Sequence, residues 1–111
     1  MGYPKFSIEK SSDKQFYFNL HAVNAKIILT SERYTSKQNC KNGIASVKVH
    51  APFDHNYERK TAINDQFYFN LKAANNEVIG KSEMYTTKAA RENGIEAVKR
   101  DAPIAETEDN S

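Results

Sequence analysis

The chain has 111 residues, of which 39% are apolar and 27% charged, and a net charge of +2 with a pI near 8.6. That is one domain's worth of chain, too apolar and too weakly charged for a disordered segment and only mildly basic. A single cysteine, Cys40, excludes an intramolecular disulfide, and no apolar run is long enough to span a bilayer. The opening MGYPKFSIEK lacks the apolar run of a signal peptide, and Phe6 stands where a myristoylation signal carries Ser or Thr. A soluble, cytoplasmic protein is therefore the expectation.

Met1 to Pro4 reads as a short leader. Lys5–Lys10 alternates, with Phe6 and Ile8 on one face, as a strand does. After a polar turn, Gln15–Val23 is the clearest strand: Phe16, Phe18 and Leu20 share one face, and Tyr17, Asn19 and His21 share the other. Asn24-Ala25 follows as a turn. Asn suits the left-handed backbone of a tight hairpin; Ala25 suits it less, so a longer turn is expected there. Lys26–Ser31 is a third strand. Its three apolar residues in a row leave the facing open, with Ile28 favoured as core.

A helix is predicted from near Ser36, with Thr35 and Ser36 as hydroxyl caps and Gln38 at capping-box distance from Thr35. Cys40, Ile44, Val47 and Ala51 are spaced 4, 3 and 4, one face of a helix. Gly43 lies mid-helix, which implies a kink or a close approach. Pro52 ends the pattern, and His50–Asp54 is expected to lead on as an extended segment.

From there the chain repeats itself. Residues 15–52 and 66–103 match at a constant offset of 51, with 21 of 38 positions identical and no gap. Strands are expected at Tyr57–Thr61, Gln66–Ala74 and Glu77–Ser82, and a helix at Thr87–Lys99. Arg91 replaces Cys40 and is expected at the rim, its stem on apolar surface. Three strands and a helix, twice, make an α+β domain: a mainly antiparallel sheet with both helices on one face, related by a pseudo-twofold. Residues 1–103 are read as one domain of two repeats (5–52 and 56–103). Residues 104–111, with Glu106, Glu108 and Asp109 and no base, are read as an acidic, disordered tail.

The aromatic strand followed by Leu71-Lys72-Ala73-Ala74-Asn75, Glu77-Val78-Ile79, Ser82-Glu83, Tyr85, Lys88 and Glu92-Asn93-Gly94-Ile95 resembles the YegP-like family of small bacterial proteins of unknown function. The first half matches it through Leu20, Ala22, Asn24, Ser31-Glu32, Tyr34, Lys37 and Asn42-Gly43-Ile44. The resemblance implies β-β-β-α-β units joined in one sheet, with the C-terminal strands exchanged between repeats: the segment after Val47 pairs with the second half, and that after Val98 with the first. It brings no activity and no catalytic residues. Ala25 in place of the usual turn glycine and Arg91 in place of a small residue depart from it.

Chemistry-bearing groups are few. His50, Asp54 and His55 lie close in sequence, but without a fourth ligand or an i, i+4 pair they read as surface residues rather than a metal site. Cys40, on the apolar helix face, reads as a packed residue rather than a nucleophile. Ser31-Glu32 and Ser82-Glu83 precede the helices, where a carboxylate complements the helix dipole. Tyr34 and Tyr85 are expected beneath the first helical turn. Lys37 and Lys88 within that turn either pair with Glu32 and Glu83 or contact an anion. The candidate binding surface is the second face of the sheet: Tyr17, Asn19 and His21 with Tyr68, Asn70 and Lys72. Aromatic rings among polar and basic neighbours stack nucleic-acid bases in several modules, and equally belong to ordinary strands. The expectation is a non-enzymatic interaction or structural module, a monomer with an internal pseudo-dimer, no membrane contact, and no cofactor or metal. The alternative is a nucleic-acid-binding module working through Tyr17 and Tyr68; a protein partner or a second subunit on that face is the remaining possibility.

Overall fold

The computed structural model describes residues 2–111; Met1, the first residue of the expected leader, lies outside them. The chain forms β1 (Lys5–Lys10), β2 (Phe16–His21), β3 (Ile27–Thr30), α1 (Lys37–His50), β4 (Tyr57–Thr61), β5 (Phe67–Lys72), β6 (Val78–Lys81), α2 (Lys88–Asp101) and β7 (Glu106–Asp109). All seven strands belong to one sheet, in the order β4-β5-β6-β3-β2-β1-β7. Neighbours are antiparallel except β1 and β7, which run parallel.

The period-two pattern places the core. Phe6, Ile8, Phe18 and Leu20 are fully buried, as are Phe69 and Leu71 in the second half. Both helices lie on this face: a Cβ on Gly43 would come within 3.0 Å of the Phe18 ring, and one on Gly94 within 3.3 Å of Phe69. The two helical glycines thus serve close approach. Tyr34 packs in parallel on Phe18 at 6.4 Å between centroids, as Tyr85 does on Phe69, and each hydroxyl sits where a Cβ of the helical glycine would be. Ile28 and Ile79 are buried, each next to a bulge that shifts the register of its hairpin.

The helices are capped one residue inside the first hydroxyl of each pair. Ser36 Oγ accepts from the Asn39 N–H at 3.1 Å, and Thr87 Oγ1 from the Ala90 N–H at 3.0 Å. Thr35 and Gln38 form no capping box; the Gln38 amide donates to Asn42 instead. The Ser-Glu pairs do something other than complement the dipole. Ser31 Oγ accepts from the Phe18 N–H at 2.9 Å and donates to the Glu32 carbonyl, and Ser82 does the same with Phe69 and Glu83. Each serine thereby stands in for a strand partner, and neither helix has an acid in its first turn.

The chain leaving α2 pairs with the first half, β7 with β1, and the chain leaving α1 runs directly into β4, the first strand of the second half, which pairs with β5. The entry to β4 is not extended. Ala51-Pro52 turn, and Asp54–Asn56 make one 3₁₀ turn, held because Asn56 Nδ2 and Tyr57 Oη donate to the His50 and Ala51 carbonyls. The turn at Ala25 is the longer one expected: Val23, Asn24 and Ala25 form a three-residue loop closed by the Ala22 N–H on the Lys26 carbonyl, with Ala25 at a φ of 72°, matching Asn76 at 71°.

The last eight residues are the largest departure from the sequence reading. Ile104–Ser111 is no frayed tail; Glu106–Asp109 adds a strand beside β1, with the Asn110 N–H donating to the Ile8 carbonyl at 2.8 Å. A run of acids has little strand propensity alone. It is ordered by bases from outside it: Lys5 holds Glu108 at 3.0 Å and Lys37 holds Asp109 at 2.9 Å. Arg91 is buried rather than at the rim, its guanidinium against the Phe67 ring and donating to the Lys60 carbonyl and to Glu92.

Candidate binding face

With both helices on the Phe18–Phe69 side, no helix or strand among the described residues covers the opposite face of the sheet. Its centre is a row that runs straight across four strands: Asn19 opposite Thr30, Thr30 opposite Lys81, Lys81 opposite Asn70. Tyr17 and Tyr68 each stand two residues from this row. Because β2 and β5 run in opposite directions, the two rings fall on opposite sides of it. Three strand spacings and four residues along the strands separate them by roughly 20 Å.

Each tyrosine has a cation over its ring. The Arg33 guanidinium lies 5.4 Å from the Tyr17 centroid and the Lys81 ammonium 4.8 Å from that of Tyr68. Neither cation was identifiable from sequence pattern. Arg33 lies beyond the end of β3, and only the strand pairing places Lys81 next to Asn70. Neither makes an ion pair among the described residues.

The other four expected residues are half-buried and engaged with neighbouring strands. Asn19 Oδ1 accepts from Thr30 Oγ1 at 2.8 Å. His21 contacts Ser7 Oγ through Nε2 and the Ala25 carbonyl through Nδ1, both at 3.1 Å, so Nδ1 carries the proton and Nε2 accepts. Asn70 and Lys72 both reach Glu58, at 3.2 and 3.1 Å, and hold its carboxyl below the usual carboxylate range. The structure therefore splits the six candidates. Asn19, His21, Asn70 and Lys72 tie strand to strand, while Tyr17 and Tyr68 present rings with unpaired cations above them.

The groups set aside from the sequence have equally specific surroundings. His50 Nδ1 donates to the Ser46 carbonyl at 2.8 Å and Nε2 accepts the Ala74 N–H at 3.1 Å, so both ring nitrogens are engaged. It borders a shallow cleft of about 480 Å³ with Phe53, His55 and Lys72. Asp54 faces Arg59 and Lys99, whose hydrogen bonds bring its carboxyl down to about 2. Among the described residues no three His, Cys, Asp or Glu side chains converge as metal ligands. Burial pushes the Cys40 thiol up to about 11, which leaves almost no thiolate at neutral pH. No helix among the described residues is long and apolar enough to cross a membrane.

Comparison with known proteins gives a consistent result. The family model described as a domain of unknown function (DUF1508) matches twice, over residues 11–58 and 62–109. The UPF0339 protein YegP of Escherichia coli K12 is 52% identical over 106 residues, 96% of each chain. A UPF0339 protein of Bordetella pertussis is 53% identical over the same length and share. Among solved structures, the solution NMR structure of E. coli yegP, a protein of unknown function, superposes with a TM-score of 0.92 at 50% identity, covering 99% of this chain and 95% of that one. That of a UPF0339 protein from Shewanella oneidensis gives 0.89 at 46%, covering 95% and 89%.

Proposed function

The chain belongs to the DUF1508 family, here as a tandem pair whose relatives are uncharacterised, and we propose that it is a non-enzymatic binding module working through the helix-free face of its sheet. The observation that carries this reading is the pair of tyrosines, each beneath a cation without an ion pair, on a face that no element among the described residues covers. A catalyst needs convergent groups with altered acidity in an enclosed site. Here the shifted groups belong to surface ion pairs, strand ladders or the packed core.

The same observation favours one occupant, a single-stranded nucleic acid. Rings accept bases by stacking without regard to sequence, and cations above them meet phosphates. Of the acids on this face, Glu58 and Glu108 are neutralised by Lys72 and Lys5, while Glu9 opposite Tyr17 accepts from Asn110; Arg33 and Lys81 beside the two rings make no ion pair among the described residues. At roughly 20 Å apart the two rings stack bases separated by several nucleotides rather than neighbours.

Titration of the ¹⁵N-labelled protein with single- and double-stranded oligonucleotides at low salt tests this. Shifts at Tyr17, Arg33, Tyr68 and Lys81, weakened by salt and lost in Tyr17→Ala/Tyr68→Ala, support the nucleic-acid reading; an unchanged spectrum at low salt retires it. Turnover of any ester, phosphate or nucleotide by the purified protein, in proportion to its concentration, would retire the non-enzymatic reading.

A further inference from the structure

The two outer edges of the repeat pair are chemically alike in backbone and unlike in cover. β1 and β4 are equivalent at the offset of 51, each the first strand of its half and each paired inward with the aromatic strand. Beyond β1 lies β7. Beyond β4 no strand lies among the described residues, because the chain that leaves α1 becomes β4 itself, whereas the chain that leaves α2 is free to lie alongside β1. The molecule thus holds one occupied strand slot and one open copy of it.

The occupied slot shows what such a slot takes. It holds Glu-Thr-Glu-Asp in parallel, Lys5 opposite Glu106 through Ile8 opposite Asp109, with Lys5 on Glu108 and Lys37 on Asp109. In the open slot Ala62 donates its N–H inward to the Gln66 carbonyl, so by alternation Tyr57 and Arg59 turn their backbone groups outward. The Tyr57 N–H is held by the Asp54 carbonyl. The Tyr57 carbonyl and both backbone groups of Arg59 have no backbone partner among the described residues. Lys88 is the equivalent of Lys37 and makes no ion pair among the described residues. Lys60, likewise without one, stands where the first half has Glu9. The acids nearby, Asp54 and Glu92, are engaged by Arg59, Arg91 and Lys99.

We propose that the outer edge of β4 binds an extended acidic peptide of a partner protein, laid parallel to β4 as β7 is laid on β1. Backbone groups around Arg59 supply the ladder, and Lys88 and Lys60 read the acidic side chains, a strand-addition mode of recognition. Lys60 stands opposite Tyr68 at the border of the tyrosine face, but the ladder at Arg59 and the charge of Lys88 do not belong to that face, so the two proposals are read at different residues.

The test uses the full chain, ¹⁵N-labelled, and a synthetic peptide with the sequence of residues 104–111, beside a control in which Glu106, Glu108 and Asp109 are replaced by Lys. Expected are shifts at Arg59, Lys60, Thr61 and Lys88 with the acidic peptide alone, weakened at least tenfold by Lys60→Glu/Lys88→Glu and unchanged by Lys14→Glu. Three results overturn the proposal: no shift at millimolar peptide, as for an edge whose charges only ward off other strands; shifts confined to β1 and β7; or sedimentation showing that copies of the chain associate through β4, which makes the occupant a second copy.

Discussion

At the centre of the sheet position 29 is Leu, and its equivalent in the second half, position 80, is Gly. A Cβ on Gly80 would lie 2.6 Å from Leu29 Cγ and Cδ2. One strand position along, Thr30 directly faces its own equivalent, Lys81. On a twofold axis a residue meets its copy, so identical residues there give two leucines in the space of one, or two lysines side by side. Away from the axis the halves keep their likeness: the Ser-to-strand bond is 2.9 Å in both and the tyrosine stack 6.4 Å in both. A duplicated chain can differ at its axis in a way that two identical subunits cannot, and this one does so on both faces of the sheet.

The largest expected effect follows from that pairing. Leu29→Gly alone empties a buried site and loosens a strand, a loss of about 4 kcal/mol. Gly80→Leu alone overfills the same space, a loss of about 3 kcal/mol. The exchange Leu29→Gly/Gly80→Leu restores one leucine and one glycine at the axis and loses less than either single change. Urea midpoints of the three variants decide it; a double variant as weak as the two singles added together would show that the halves are not interchangeable at the axis.

The same contrast explains what was legible in the sequence. Within each half the signals are local. The alternation around Phe18 and Phe69, the 4-3-4 helix spacing and the hydroxyl caps all placed their elements, and the constant offset gave the pseudo-twofold. What was not legible depends on the partner across space. β7 has no strand signal of its own and exists because Lys5 and Lys37 wait for it. Of the candidate face, Tyr17 and Tyr68 were legible from alternation; Arg33 and Lys81 were not, since no period links them to the rings they cover. The serines of the two Ser-Glu pairs read as helix-flanking polar groups because a hydroxyl replacing a strand partner leaves no pattern in the sequence.

A smaller effect distinguishes the helix–sheet contacts of the two halves. A Cβ at Gly94 meets Tyr85 Oη at 2.2 Å and Cζ at 2.7 Å; one at Gly43 meets Tyr34 at 2.5 and 3.0 Å. Gly94→Ala is therefore the worse of the two: about 2 kcal/mol lost to overpacking, with roughly half returned by the better helix propensity of alanine. Tyr85 Oη is buried and has no hydrogen-bond partner among the described residues. Tyr85→Phe is then neutral or slightly stabilising, and in combination it recovers most of the loss in Gly94→Ala. Thermal denaturation of the four proteins measures the coupling. Equal losses in Gly94→Ala with and without the Tyr85 hydroxyl would place the contact elsewhere.

The smallest effect lies at the hairpin turns, where the backbone of the halves agrees and the side chain does not. Each turn closes a three-residue loop with the last residue left-handed. Ala25 at 72° donates its N–H to the Ala22 carbonyl, and Asn76 at 71° donates to that of Ala73. For alanine that region costs about 1 kcal/mol, while asparagine enters it with little penalty. Ala25→Gly removes the strain but frees the unfolded chain, leaving a net gain of about 0.5 kcal/mol, roughly 2 °C in Tm. Asn76→Gly removes little strain against the same entropy and gains nothing. The pair of measurements separates backbone from side chain: equal responses at the two turns would mean that the matching φ values hide different strain, and a gain at position 25 alone would locate the difference between the hairpins in a single methyl group.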